Sequence, residues 1–200
     1  MIKIFAIIFM VCDHAGIFLF PEYAVPLRSI GAMAFPLFAW MIAQGRRLTS
    51  DINQYLLSLL LFAMISEPVH KLMFPETANY NAMFTLFIGL FFIRLCEQYG
   101  RVAFYALAPL FLYQYVSLYI LLVFLFYYVP DKYLQALGLV FFFGFVGLIS
   151  HHFYVFAGVF SLGFIMLDRF HFRLPVNKYV FYAFYPVHFL IIRGIQYVVN

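Results

Sequence analysis

The sequence predicts an all-α protein: a polytopic transmembrane helical bundle of about nine membrane segments, with its N-terminus in the cytoplasm. Three observations carry this expectation. Hydrophobic residues make up 66% of the 200-residue chain and charged residues only 10%, where soluble domains run at roughly 25% charged. Mean hydropathy is +0.97. The apolar residues fall in runs long enough for helices in lipid, separated by short polar punctuation. No polar stretch is long enough for a second, soluble domain, so 1–200 reads as a single integral membrane domain.

The segments are expected at approximately 2–20, 29–45, 54–74, 82–95, 102–113, 115–129, 133–150, 153–167 and 177–199. The first begins M-I-K-I-F-A-I-I-F-M, which imitates a signal peptide. Its apolar run continues to Phe20 with no A-x-A-like cleavage site, so it is expected to stay as a span. P-E-Y-A-V-P separates the first segment from the second, G-R-R-L-T-S-D the second from the third, and P-E-T-A-N-Y-N the third from the fourth. E-Q-Y-G-R ends the fourth segment, P-D-K ends the sixth, and D-R-F-H-F-R-L-P follows the eighth. The fifth and sixth cover 102–129 with no charge between them, as one long helix or as two short ones meeting at Tyr113-Gln114.

Charge placement separates those two possibilities. Lys and Arg favour the cytoplasmic side of short loops. With nine spans and the N-terminus inside, Lys3, Arg46, Arg47, Arg94, Arg101, Lys132, Arg169, Arg173 and Lys178 lie inside, against Arg28, Lys71 and Arg193 outside. Merging the fifth and sixth segments divides the cations evenly and abolishes the bias. Nine spans, with the C-terminus outside, is therefore the expectation. The net charge of +4 is then topology signal and attraction to anionic lipid headgroups, with no nucleic acid required. Cys12 and Cys96 lack metal-ligand spacing and read as small hydrophobes. The 29 Phe and 16 Tyr serve packing and interfacial anchoring.

Against this background a few polar residues stand out. Asp13 and His14 lie side by side inside the first apolar helix, where ionisable groups are costly and usually face the bundle interior. Lys3 is eleven residues before His14, which puts both on one stripe with His14 about 16 Å deeper. His188 lies ten residues beyond Lys178 in the last helix, about 15 Å deep. The two histidines are thus expected at similar depth. Adjacent helical residues do not face each other, so Asp13 is expected to contact another helix or a bound group instead of orienting His14. Glu67 falls in the outer half of the third helix, and its neighbour Pro68 suggests a broken helix there. Asn81 and Thr85 begin the fourth helix at its outer end, and Arg28 precedes the second, also outside. His70, His151, His152 and His171 fall at loop or interface positions, none with the i, i+4 spacing of a helical zinc site, and no metal is expected.

Several stretches resemble a known family. Lys3 to His14 looks like the (R/K)-x10-H signature of the type-3 membrane acyltransferases. More closely, the chain resembles the TraX family, named for the conjugative F-pilin acetylation protein. The matching segments are K-I-F-A-I-I-F-M-V-C-D-H (3–14), R-S-I-G-A-M-A-F-P-L-F-A-W (28–40), L-L-F-A-M-I-S-E-P (60–68), N-A-M-F-T-L-F-I-G-L (81–90) and F-Y-A-F-Y-P-V-H-F-L (181–190). One departure is that position 32, where the family pattern G-R-x-A-F-P-x-F would carry arginine, is alanine. Either Arg28 supplies that charge one turn earlier or acceptor recognition differs.

The resemblance implies acetyl transfer from cytoplasmic acetyl-CoA to an acceptor at or across the membrane: a pilin amino terminus, another protein amine, or an envelope glycan. It also implies a multi-pass protein of the bacterial inner membrane. The expected catalytic residues are His14, His188, Asp13 and Glu67. Histidine titrates in the range needed to take the acceptor's proton, and His14 is the first choice for that base. His188 is expected to polarise the carbonyl, position the acceptor or bind the leaving thiolate. Lys3, Arg46 and Arg47 are expected to meet the donor's phosphates. Arg28, Asn81, Thr85 and Tyr185 are expected on the acceptor side. Pro36 and Pro186 are expected to permit irregular backbone beside a cavity. A small proton-coupled transporter using Asp13, His14, Glu67 and His188 as a relay stays open beside this reading, although no repeated halves are visible.

Overall fold

The computed structural model describes residues 1–77, 79–100, 102–105, 116–167 and 178–199, and these are all-α. In chain order the helices are α1 (Ile2–Phe18), α2 (Ala24–Gly31), α3 (Ala34–Leu48), α4 (Ile52–Met73) and α5 (Ala82–Tyr99). They continue with α6 (Val102–Tyr105), α7 (Val116–Tyr128), α8 (Lys132–Ser150), α9 (Ser161–Leu167) and α10 (Lys178–Val199). Pro21–Tyr23 and Phe153–Phe160 are 3-10 helices leading into α2 and α9.

Four stretches are long and apolar enough to cross a bilayer: Pro21–Leu48, Ile52–Met73, Ala82–Tyr99 and Lys132–Ser150. Leu118–Tyr128 and Phe153–Leu167 are apolar but shorter. Only about a third of each long stretch is buried within the protein. Leu57, Leu61 and Ile65 on α4 and Phe141, Phe145 and Leu148 on α8 are exposed, an arrangement suited to lipid contact. Multiple apolar helices of this kind are those of an integral membrane protein. Each expected segment overlaps a helix, the fifth through Val102–Tyr105 alone. The Tyr113-Gln114 junction lies outside the described residues.

The described residues fall into two compact units. One comprises Met1–Phe38 with Val129–Asn200 and is built on α1, α2, α8, α9 and α10; the other, Ala39–Tyr128, holds α4, α5, α6 and α7. In the first unit α1 packs closely on α2. A Cβ at Gly16 would lie 2.8 Å from Leu27 Cβ, and one at Gly31 would lie 2.4 Å from Asp13 Cβ, so glycine is what lets these backbones approach. The 3-10 segment packs on α8 and α2, with the buried Phe143 ring filling the notch at Gly158. In the second unit α5 meets α7 across Gly89 and Val123. Asp51, Asn81 and Asp131 each accept the backbone N–H two or three residues on, at 2.9 Å, and so start α4, α5 and α8.

Two sequence expectations about proline are corrected. The expected segment 29–45 is two helices, broken at Ala32-Met33. A continuous helix would set the Pro36 ring against the carbonyl of residue 32. The break puts Pro36 in the first turn of α3, where backbone N–H groups lack helical partners in any case. The irregular backbone therefore precedes Pro36, while α10 runs through Pro186. Pro68 does not break its helix either: α4 continues to Met73. One missing donor does not end a helix whose next turn is anchored elsewhere. Lys71 Nζ donates to Thr77 O at 2.7 Å and to Asn79 O at 3.2 Å.

The glycines differ in what replacement should cost. A Cβ at Gly158 would lie 2.3 Å from the Phe143 ring, whereas Cβ atoms at Gly144 and Gly163 meet nothing within 4 Å. Gly158→Val is expected to destabilise the first unit by about 1–3 kcal/mol, the usual cost of overpacking. Gly144→Ala and Gly163→Ala should be neutral or slightly stabilising, since alanine loses less freedom in a helix. Thermal denaturation of the purified variants in detergent measures both effects.

Candidate active site

The site is built on the pairing of α1 with α10. Lys3 Nζ lies 5.8 Å from the centroid of the Phe181 ring. Eleven residues further along α1, His14 Nδ1 lies 2.8 Å from His188 Nε2. At the end of α1, Phe18 O accepts from Gln196 Nε2 at 3.1 Å. These contacts climb both helices in the same direction, so α1 and α10 run parallel. Lys3 and His14 do share one stripe, and His14 and His188 do lie at one level.

The histidine pair is enclosed by aromatic rings. His188 is 2% exposed and the His14 side chain 14%. The two imidazoles meet edge to edge, their planes 29° apart and their centroids 4.9 Å apart, and the buried Phe189 ring touches both, at 4.4 Å from His14 and 4.2 Å from His188. Phe184 stacks nearly parallel on His188 at 5.8 Å, and Tyr185, itself buried, is 5.6 Å from it. The second ring nitrogen of His188 lies 3.2 Å from Phe184 O, one turn back along α10.

Asp13 turns towards α2, as helix geometry requires of a residue adjacent to His14. Its Oδ1 accepts from Arg28 Nε at 3.5 Å. The guanidinium of Arg28 also lies 4.7 Å over the ring of Tyr154, a cation–π contact. Asp13 Oδ2 is 4.0 Å from His14 Nε2, beyond hydrogen-bond reach and near enough to attract that ring when it is protonated. The α1–α2 approach at Gly31 is what brings Arg28 to this carboxylate.

A family model described as TraX protein matches residues 1–196, nearly the whole chain. The chain belongs to the TraX family. No curated protein and no solved structure matches it.

In this TraX family member Glu67, Asn81, Arg46 and Arg47 have well-defined partners. Within the second unit, Glu67 Oε2 accepts from the backbone N–H of Asn81 at 3.1 Å and from Asn81 Nδ2 at 2.7 Å. Asn81 Nδ2 also donates to Ala63 O at 2.8 Å, and its Oδ1 caps α5. Lys71 Nζ stands 3.9 Å from Glu67 Oε1. Thr85 is buried one turn into α5. Glu67 and Asn81 thus clamp the start of α5 to α4.

Arg46 and Arg47 are also held. Arg46 donates to Glu97 Oε2 from Nη2 at 2.6 Å and from Nε at 3.1 Å. Tyr127 donates its hydroxyl to the other Glu97 oxygen. Arg47 Nη2 reaches the carbonyls of Phe126 at 3.1 Å and Tyr127 at 2.6 Å, two of the acceptors that a helix C-terminus leaves over. The two arginines therefore join the end of α3 to the ends of α5 and α7. Among the described residues no group of three or more His, Cys, Asp or Glu side chains is placed to hold a metal ion.

Sequence reasoning missed Tyr154, Phe189, Glu97 and Tyr127. Of these only Glu97 carried a signal, as the one acid in E-Q-Y-G-R at the same end as Arg46-Arg47. Tyr154 and Phe189 are two aromatics among many and gain their meaning only from what they touch.

The Asp13–Arg28 contact makes a testable claim. Removing one partner of a part-buried ion pair leaves the other without compensation. Arg28→Gln is expected to lower thermal stability more than the double variant Arg28→Gln with Asp13→Asn. A double-mutant cycle in detergent melts reads the coupling.

Proposed function

We propose that this TraX family member is an integral membrane acetyltransferase that moves an acetyl group from cytoplasmic acetyl-CoA to an acceptor at or across the membrane. The observation that carries this reading is the His14–His188 pair, 2.8 Å apart on two apolar helices of one unit. Histidine is suited to take a proton near neutral pH. A pair of them enclosed by Phe184, Tyr185 and Phe189 is a costly feature to maintain for packing alone.

In this reading His14 is the general base. Asp13, 4.0 Å from His14 Nε2, stabilises the imidazolium formed when the proton is taken. Arg28 offsets part of that carboxylate's charge and faces the acceptor together with Tyr185. Lys3, at the start of the stripe that leads to His14, serves the donor's phosphates. Glu67, held by Asn81, takes a structural part. The acceptor classes are a pilin amino terminus, another protein amine and an envelope glycan.

The parallel course of α1 and α10 supports an odd number of spans. A chain whose first and last membrane helices run the same way crosses the membrane an even number of times between starting the first and starting the last. Nine spans meet this condition and eight do not. The proposed topology is N-terminus inside and C-terminus outside, in the bacterial inner membrane.

Two experiments test the proposal. Purified protein in lipid, given labelled acetyl-CoA, is expected to pass label to an amine-bearing peptide or to a glycan. His14→Ala should lower that transfer per folded protein by about 10²–10⁴-fold, the usual cost of a lost general base, and it also leaves buried His188 without its partner. Transfer at the wild-type rate by folded His14→Ala would refute the assignment of the base. In the second, cysteine labelling in intact cells should find the Arg46-Arg47 loop protected and the C-terminus accessible from outside. A protected C-terminus would overturn the nine-span topology.

A further inference from the structure

We propose that His188 is a positioning residue: it fixes the tautomer of His14, so that the basic nitrogen of the site is His14 Nε2. Its catalytic consequence rests on the acetyltransferase reading, but the tautomer itself does not.

The argument starts at a backbone carbonyl. Phe184 O can only accept, and it lies 3.2 Å from His188 Nδ1, so that nitrogen carries the hydrogen. In a neutral imidazole the other nitrogen is then an acceptor. His188 Nε2 lies 2.8 Å from His14 Nδ1, which must therefore donate. A neutral His14 that donates from Nδ1 holds its lone pair on Nε2. The order of protons is thus set outward from Phe184, through His188, to His14. His188 is 2% exposed and both its nitrogens are engaged, which leaves it no atom with which to meet a substrate. His14 Nε2 lies 4.0 Å from the carboxylate of Asp13.

The chemistry that follows is balanced. The acceptor's nitrogen or oxygen bonds to the acetyl carbonyl carbon while the carbon–sulfur bond breaks. The acceptor's proton passes to His14 Nε2 and then to the departing thiolate sulfur. The products are acetylated acceptor and coenzyme A thiol, with no net proton released. While His14 is charged, its Nδ1–H remains bonded to His188, which shares the charge across the pair. Beyond His188 stands a backbone carbonyl, which cannot pass a proton on. The pair therefore holds the proton for the leaving group.

The test uses full-length protein in lipid bilayers, with histidine rings labelled by nitrogen-15 and read by solid-state NMR. The His14 signals are assigned by their loss in His14→Gln. In wild type, Nδ1 of His14 is expected to be protonated and Nε2 bare. In His188→Leu the fixed acceptor is gone, and His14 should shift towards the form protonated on Nε2. In His188→Gln the amide oxygen stands near the place of the lost acceptor, and the wild-type pattern should persist. Kinetics should follow the spectra: kcat falls in His188→Leu and recovers in His188→Gln by on the order of tenfold, with KM for acetyl-CoA little changed. A wild-type His14 protonated on Nε2 and bare on Nδ1 would overturn the proposal, as would a His188→Leu spectrum identical to wild type. Expected spectra in a protein that transfers no acetyl group would uphold the positioning role and refute the acetyltransferase reading.

Discussion

A polar group inside an apolar helix must find a partner, because lipid and hydrocarbon side chains offer none. Much of the polar structure described here follows from that constraint. Asp13 is answered by Arg28, His14 by His188, and Glu67 by Asn81. Arg47 takes the leftover carbonyls at the end of α7, and Gln135 takes Val129 O at 2.6 Å. Glycine enables the closest of these approaches. Gly31 brings α2 against Asp13, near enough for Arg28, one turn back, to reach the carboxylate.

The arrangement gives the two ionisable neighbours on α1 separate environments. His14 faces α10 and an aromatic enclosure; Asp13 faces α2 and a cation. Two residues adjacent in sequence thus serve two helix interfaces, because successive side chains on a helix point about 100° apart. The partial neutralisation of Asp13 by Arg28 has a consequence for chemistry. A bare carboxylate 4 Å from an imidazole would favour its protonated form strongly, whereas one shared with a guanidinium favours it less.

Much of this was legible in the sequence, for reasons that can be named. Helical rise and turn angle placed Lys3 and His14 on one stripe, and equal distance from the helix starts put His188 level with His14. Residue spacing within one helix is a local property and survives folding unchanged. The reach of Asp13 to another helix, where Arg28 meets it, followed from the same geometry. Other features were not legible. The break at Ala32-Met33 relieves a clash at Pro36 that α4 and α10 tolerate at Pro68 and Pro186. The turn of α4 past Pro68 carries a lysine anchored in the following loop, which no local pattern announces. Tyr154 acquires its role by lying over Arg28, more than a hundred residues away in sequence. The partners of Arg46 and Arg47 were equally hidden, since charge counting assigns arginines to a side of the membrane without naming what they bind.

The sequence separations of the two pairs also set an order of assembly. Arg28 is only 15 residues from Asp13, whereas His188 is 174 residues from His14. At synthesis rates of about 5–20 residues per second, Arg28 follows Asp13 within a few seconds. His14 waits roughly ten to thirty seconds for its partner. The ion pair can hold the first two helices together through that interval, while the imidazole has no α10 to meet. The histidine pair is therefore made well after the ion pair, and a ribosome that stalls before α10 leaves a protein with Asp13 already answered and His14 still without His188.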